Sequence, residues 1–153
     1  MTDEIARFQA KWQLGFIPAE RVPLAATQML EAGIEGDSLA ILAGLTDLSQ
    51  EEVAPYVKKF LVECGAPSMS DQEARWLLVG AGVAAIAAGT LAPREGADQL
   101  AYLCRELGMP ELLRYFVYLS ADYDPKDSWF DDRIRETAAD VQTSLRNSPQ
   151  VAT

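Results

Sequence analysis

Apolar residues recur along this chain at three- and four-residue spacing, in stripes cut by glycines and prolines. Ile5, Phe8 and Trp12 form the first stripe, and Gly15 stops it. Phe16 to Val22 reads as a connector, its direction fixed by Pro18 and Pro23. Pro23 suits a first helical position, and Leu24, Ala25, Met29 and Leu30 follow it to a stop at Gly33. Asp37-Ser38 reads as the cap of a short apolar helix, Leu39 to Ala43, ending near Gly44.

Two capping boxes come next. Ser49-Gln50-Glu51-Glu52 opens a helix with Val53, Tyr56, Val57, Phe60, Leu61 and Cys64 on one face, closed by Gly65 and Pro67. Pro55 lies early enough in it to be tolerated. Ser70-Asp71-Gln72-Glu73 opens the longest run, through Trp76, Leu77, Val83 and Ile86 to Gly89. Pro93 starts a further helix, carrying Leu100, Leu103, Cys104 and Leu107 to Gly108. Pro110 restarts the chain, with Leu112, Leu113, Phe116, Val117 and Leu119. Asp122 to Asp127 reads as a loop, and Asp127 or Ser128 caps a last helix with Trp129, Ile134, Ala138, Val141 and Leu145.

No sustained period-two alternation and no Asn-Gly or Asp-Gly hairpin occurs. The expected fold is all-α: about eight helices joined by short links, as a compact bundle or stacked helix pairs around a central buried helix, Ser70 to Ala88. Residues 1–146 read as one domain and 147–153 as a frayed tail. Leu30-Glu31-Ala32-Gly33 matches Ile86-Ala87-Ala88-Gly89, and Leu39 to Leu42 matches Leu100 to Leu103. Two similar helical halves, about 16–65 and 70–121, would give this pattern. Generic helix endings would give it as well.

The run from Trp76 to Pro93 has no charged residue, but its many Ala and Gly positions and its early end suit a buried helix better than a membrane span. The acidic start, Met1-Thr2-Asp3-Glu4-Ile5, lacks the features of a secretory signal, so the expected location is cytoplasmic. Cys64 and Cys104 have no CxxC spacing and read as buried free thiols.

Charge narrows the functions. The chain has 153 residues, 23 acidic against 13 basic, and no histidine. That removes imidazole acid–base chemistry and His-ligated metals. The net charge of −10 opposes binding to a phosphate backbone. Residues 1–76 hold twelve acids against six bases, residues 77–121 four against three, and residues 122–153 seven against four.

The longest stretch without Lys or Arg lies between Arg21 and Lys58 and contains Glu31, Glu35, Asp37, Asp47, Glu51 and Glu52. Such a tract would steer a basic partner, although several of these acids also sit where they favour a helix dipole. Tyr56 and Trp129 are candidate anchors for that partner, and Trp129 equally suits packing of the last helix.

Asp122, Asp124 and Asp127 form a second acidic group, with Asp131-Asp132 following. A calcium loop would begin at Asp122 and Asp124, but Lys126, Asp127 and Arg133 then occupy its fifth, sixth and twelfth positions and spoil the fit. A turn and a helix cap account for these aspartates. Gly80-Ala81-Gly82 lies inside a helical run and reads as a close helix–helix approach, not a nucleotide loop. No HExxH, GxSxG or P-loop occurs.

Ala32-Gly33, Asp37-Ser38-Leu39-Ala40, Leu42-Ala43-Gly44, Ile86-Ala87-Ala88-Gly89, Pro93 and Gly96-Ala97 together resemble small all-helical bacterial proteins, some of them immunity or accessory partners of toxins. The resemblance covers about residues 22–119 and consists of helix-end motifs. It implies a bacterial origin and a binding role, and it carries over no catalytic residue. The expected function is a non-catalytic, cofactor-free domain that binds a basic protein, such as a toxin. The alternatives are a carboxylate- or divalent-metal-dependent enzyme, and a small-ligand or signalling module with a pocket between helices.

Overall fold

The structure, a computed structural model, describes residues 3–147. Of the expected tail at 147–153, Asn147 is the last residue of the final helix, and 148–153 lie outside the described residues. Among the described residues there are eight α-helices, two short 3-10 helices and no strand. The helices are α1 (Asp3–Gln13), α2 (Val22–Glu31), α3 (Asp37–Gly44), α4 (Gln50–Glu63), α5 (Asp71–Ala88), α6 (Pro93–Glu106), α7 (Arg114–Ala121) and α8 (Ser128–Asn147). Contacts divide the chain into two compact units, residues 1–74 and 75–153.

Glycine stops set most of the helix ends. Gly15 has φ +77° and Gly108 +80°, a backbone region that costs a residue with a Cβ. Around Gly15 the chain folds back, Phe16 N–H donating to the Lys11 carbonyl at 2.8 Å and Gly15 N–H to that of Trp12 at 3.1 Å. Gly33, Gly65 and Gly89 close α2, α4 and α5 with the same pair of bonds.

After Gly15 and after Gly108 the chain repeats one device. Pro18 and Pro110 each cap a three-residue 3-10 turn, Ala19–Arg21 and Glu111–Leu113, that leads directly into α2 and α7. The pattern of apolar positions did not show these turns, because three residues are too few to display a face.

In the first unit, Ile5, Phe8, Val22, Ala26, Met29, Leu39, Leu42, Val53, Val57 and Phe60 make one buried cluster. Phe8 and Phe60 meet edge to face, centroids 6.0 Å apart at 74°. Polar bonds tie α1 to the link after α4 and to the first residue of α5. Gln9 Nε2 donates to the Pro67 carbonyl, and Gln13 Nε2 donates to the Met69 carbonyl and to Asp71 Oδ1, each at 2.8 Å. Both capping boxes form as their sequences imply.

The cap of α3 is a correction. Gly36 holds the cap position without a side-chain bond, and Asp37 is the first helical residue. Ser38 shares the inward face with Leu39 and Leu42, is itself buried, and donates to Glu63 Oε1 of α4 at 2.7 Å. Its hydroxyl therefore bridges two helices instead of capping one.

In the second unit, α6 packs on α7 and both pack on α8. Leu100, Leu113, Phe116 and Ile134 are fully buried. From Ala74 to Ile86 no position of α5 is exposed, whereas Ser70 to Glu73 and Ala87-Ala88 are, so the expected buried helix, Ser70 to Ala88, is covered along its middle and open at its ends. No helix among the described residues is long and apolar enough to cross a membrane.

The close approach lies at a different glycine from the expected ones. A Cβ on Gly80 would meet nothing within 4 Å, and one on Gly82 would make ordinary contact with Leu100 at 3.4 Å. A Cβ on Gly96 would lie 2.5 Å from Cγ1 and Cδ1 of Ile86. Gly96 of α6 thus receives the Ile86 side chain of α5 where its own would stand. Because Gly80 is helical and unobstructed, Gly80→Ala is expected to stabilise the protein by about 0.5–1 kcal/mol. Chemical denaturation checks this, and a loss of stability would contradict the open space.

Candidate functional site

Glu31, Glu35, Asp37, Asp47, Glu51 and Glu52 are all exposed, and none is ion-paired among the described residues. The helices sort them into two groups. Glu31 ends α2, Glu35 lies in the link, and Asp37 opens α3. Asp47 follows the far end of α3, and Glu51 and Glu52 occupy the first turn of α4. The two groups are separated by the length of α3, about 12 Å for eight residues. Glu52 also closes the capping box, so part of its charge serves the helix. Tyr56 lies one turn beyond Glu52 on α4 and is 41% exposed.

Trp129 belongs to the other unit, at the start of α8. It is 50% exposed, and its ring meets Phe130 edge to face at 5.0 Å. Two further exposed rings, Tyr115 and Tyr118, lie on α7. Sequence reasoning passed over them because it followed the inward-facing Phe116 and Leu119. Their three-residue spacing beside Arg114 was the available signal.

Around this hairpin the polar groups form a local network. Arg133 stacks over Tyr115 at 5.2 Å, donates to its hydroxyl at 3.3 Å and pairs with Glu136 at 3.0 Å. Arg94 stacks over Tyr123 at 5.2 Å. The Tyr123 hydroxyl donates to Asp131 at 2.6 Å, and that bond holds the phenol above its ordinary pKa.

Asp124 and Asp127 serve the backbone. Asp124 Oδ1 accepts from Lys126 N–H, and Asp127 Oδ1 accepts from Trp129 N–H at the start of α8, both at 2.9 Å. Asp122 is exposed beside them. Among the described residues no group of three or more His, Cys, Asp or Glu side chains is placed to hold a metal ion. Asp122, Asp124 and Asp127 are therefore not assembled as a metal site.

Comparison with known proteins adds no assignment. No family model, curated protein or solved structure matches this chain.

The first unit has a cleft of about 240 Å³, lined by apolar Phe8, Ile17 and Met29 with Arg7, Lys11 and Glu4 among its polar groups. It is smaller than the ~300 Å³ lower bound of ordinary ligand pockets. Both cysteines are free, Cys104 buried and Cys64 half-buried. Burial pushes both thiols up, reinforced at Cys64 by Glu63 and opposed at Cys104 by Arg105 and Arg114. The thiolate is the reactive form, so at pH 8 iodoacetamide is expected to label both at least about tenfold more slowly in the folded protein than in urea. Mass spectrometry over time checks this. Equal rates at Cys104 in the two conditions would contradict its burial.

Proposed function

We propose that this protein is a non-catalytic binding domain, an acidic partner of a basic protein, acting in the cytoplasm of a bacterium in an immunity or antitoxin role. One observation carries the reading: six carboxylates in a stretch without Lys or Arg all face solvent, and among the described residues no cation is paired to them. Such a surface raises the local concentration of a positively charged protein and speeds its association. Tyr56, exposed one turn from Glu52, supplies apolar area beside that charge. Nucleic acid is the wrong sign of partner for this field.

Capture from the native host with the full chain as bait tests the proposal. The comparison bait carries Glu31, Glu35, Glu51 and Glu52 as Gln and Asp37 and Asp47 as Asn. A basic protein, encoded by a neighbouring reading frame, is expected on the first bait and absent from the second. Equal capture by both would sink the role given to these acids.

A further inference from the structure

Tyr118 and Trp129 are 59% and 50% exposed, the two most exposed aromatic side chains among the described residues. They belong to one face of the α7–α8 hairpin. Arg133 of α8 reaches Tyr115 of α7, which fixes the pairing of the two helices. Trp129 lies one turn before Arg133, and Tyr118 lies three residues after Tyr115. Both rings therefore fall on that face at the loop end of the hairpin.

Two neighbouring rings already hold a guanidinium: Arg133 stacks over Tyr115 and Arg94 over Tyr123. Among the described residues neither Tyr118 nor Trp129 has a cation over its ring. The surroundings favour one. Asp122, Asp124 and Asp127 are exposed in the loop, and Asp132, Glu136 and Asp140 are exposed along α8. Of the nearby cations, Arg133 pairs with Glu136, Arg135 with Asp132 at 3.5 Å, and Arg114 donates to the Met109 carbonyl, while Lys126 is exposed in the loop and in no ion pair among the described residues.

We propose that the α7–α8 hairpin is a docking surface for an arginine-rich segment of a partner protein, whose guanidinium groups seat on the rings of Tyr118 and Trp129. The inference rests on the basic-partner reading and assigns the anchoring surface to this hairpin. Exposed aromatic faces attract guanidinium groups, and the flanking carboxylates add long-range attraction and short charged hydrogen bonds.

Hexa-arginine amide, titrated into the ¹⁵N-labelled full chain, is the probe. The indole N–H signals separate Trp129 from the half-buried Trp12 and the buried Trp76. The Trp129 indole and Tyr118 amide signals are expected to move and the other two indoles to stay. The double variant Trp129→Ala/Tyr118→Ala is expected to bind about tenfold more weakly. Trp129→Phe/Tyr118→Phe, which keeps both rings, is expected to retain most of the binding. Full binding by the Ala double variant overturns the proposal. If binding then disappears on neutralising Glu31, Glu35, Asp37, Asp47, Glu51 and Glu52, the basic-partner reading survives without it. A chain that binds hexa-arginine at neither place contradicts both.

Discussion

Gly96→Ala is expected to destabilise the protein, against the usual gain from replacing a helical glycine. In an open helix the change stabilises by about 1 kcal/mol. Here the new Cβ would stand 2.5 Å from two carbons of Ile86, a residue only 1% exposed. Either Ile86 leaves its rotamer or α5 and α6 separate, and overpacking of this kind costs about 1–3 kcal/mol. The net expected loss is about 1–2 kcal/mol. Ile86→Ala alone removes buried carbons and is expected to cost about 2–5 kcal/mol. In the Ile86→Ala background the obstruction is gone, so Gly96→Ala becomes neutral or stabilising. A double-mutant cycle by urea denaturation should therefore give a coupling of about 1–3 kcal/mol. Simple additivity would mean that the two helices do not meet at this point.

Phe60→Ala is expected to be the most damaging single truncation in the first unit. Phe60 has no exposed surface and meets Phe8 edge to face within the cluster built from α1 to α4. Its removal forfeits transfer energy and leaves a cavity, together about 3–5 kcal/mol. The lost ring pair accounts for about 0.5–1.5 kcal/mol beyond area burial. Phe60→Leu keeps most of the volume and should cost clearly less. Denaturant midpoints for the two variants check the ranking. A Phe60→Ala protein within 1 kcal/mol of the parent would show that this cluster closes without the ring.

The difference between what was readable in the sequence and what was not follows from range. Helix stops at Gly15, Gly33, Gly65, Gly89 and Gly108 were readable because a left-handed residue closes a helix through bonds to its own last turn. The two capping boxes were readable for the same reason. Ser38 was misread because its hydroxyl answers to Glu63, 25 residues away. Gly96 was missed because only packing shows that Ile86 points at it.

The candidate site divides in the same way. The sequence located the acids but left Trp129 open between an anchor and a packing residue, and the separation of the acids across α3, the half-exposure of Trp129 and the tyrosines of α7 required the helices to be placed. Asp124 and Asp127 turned out to accept backbone N–H groups, which is the turn-and-cap account that their positions already suggested.

The central claim is that a negative field recruits a basic protein. The most direct measurement is the association rate of the captured partner with the full chain, followed by stopped flow from about 20 mM to 500 mM salt, where the screening length falls from roughly 20 Å to below 5 Å. The rate is expected to fall by at least about tenfold over that range while dissociation changes much less. A flat association rate would contradict the claim.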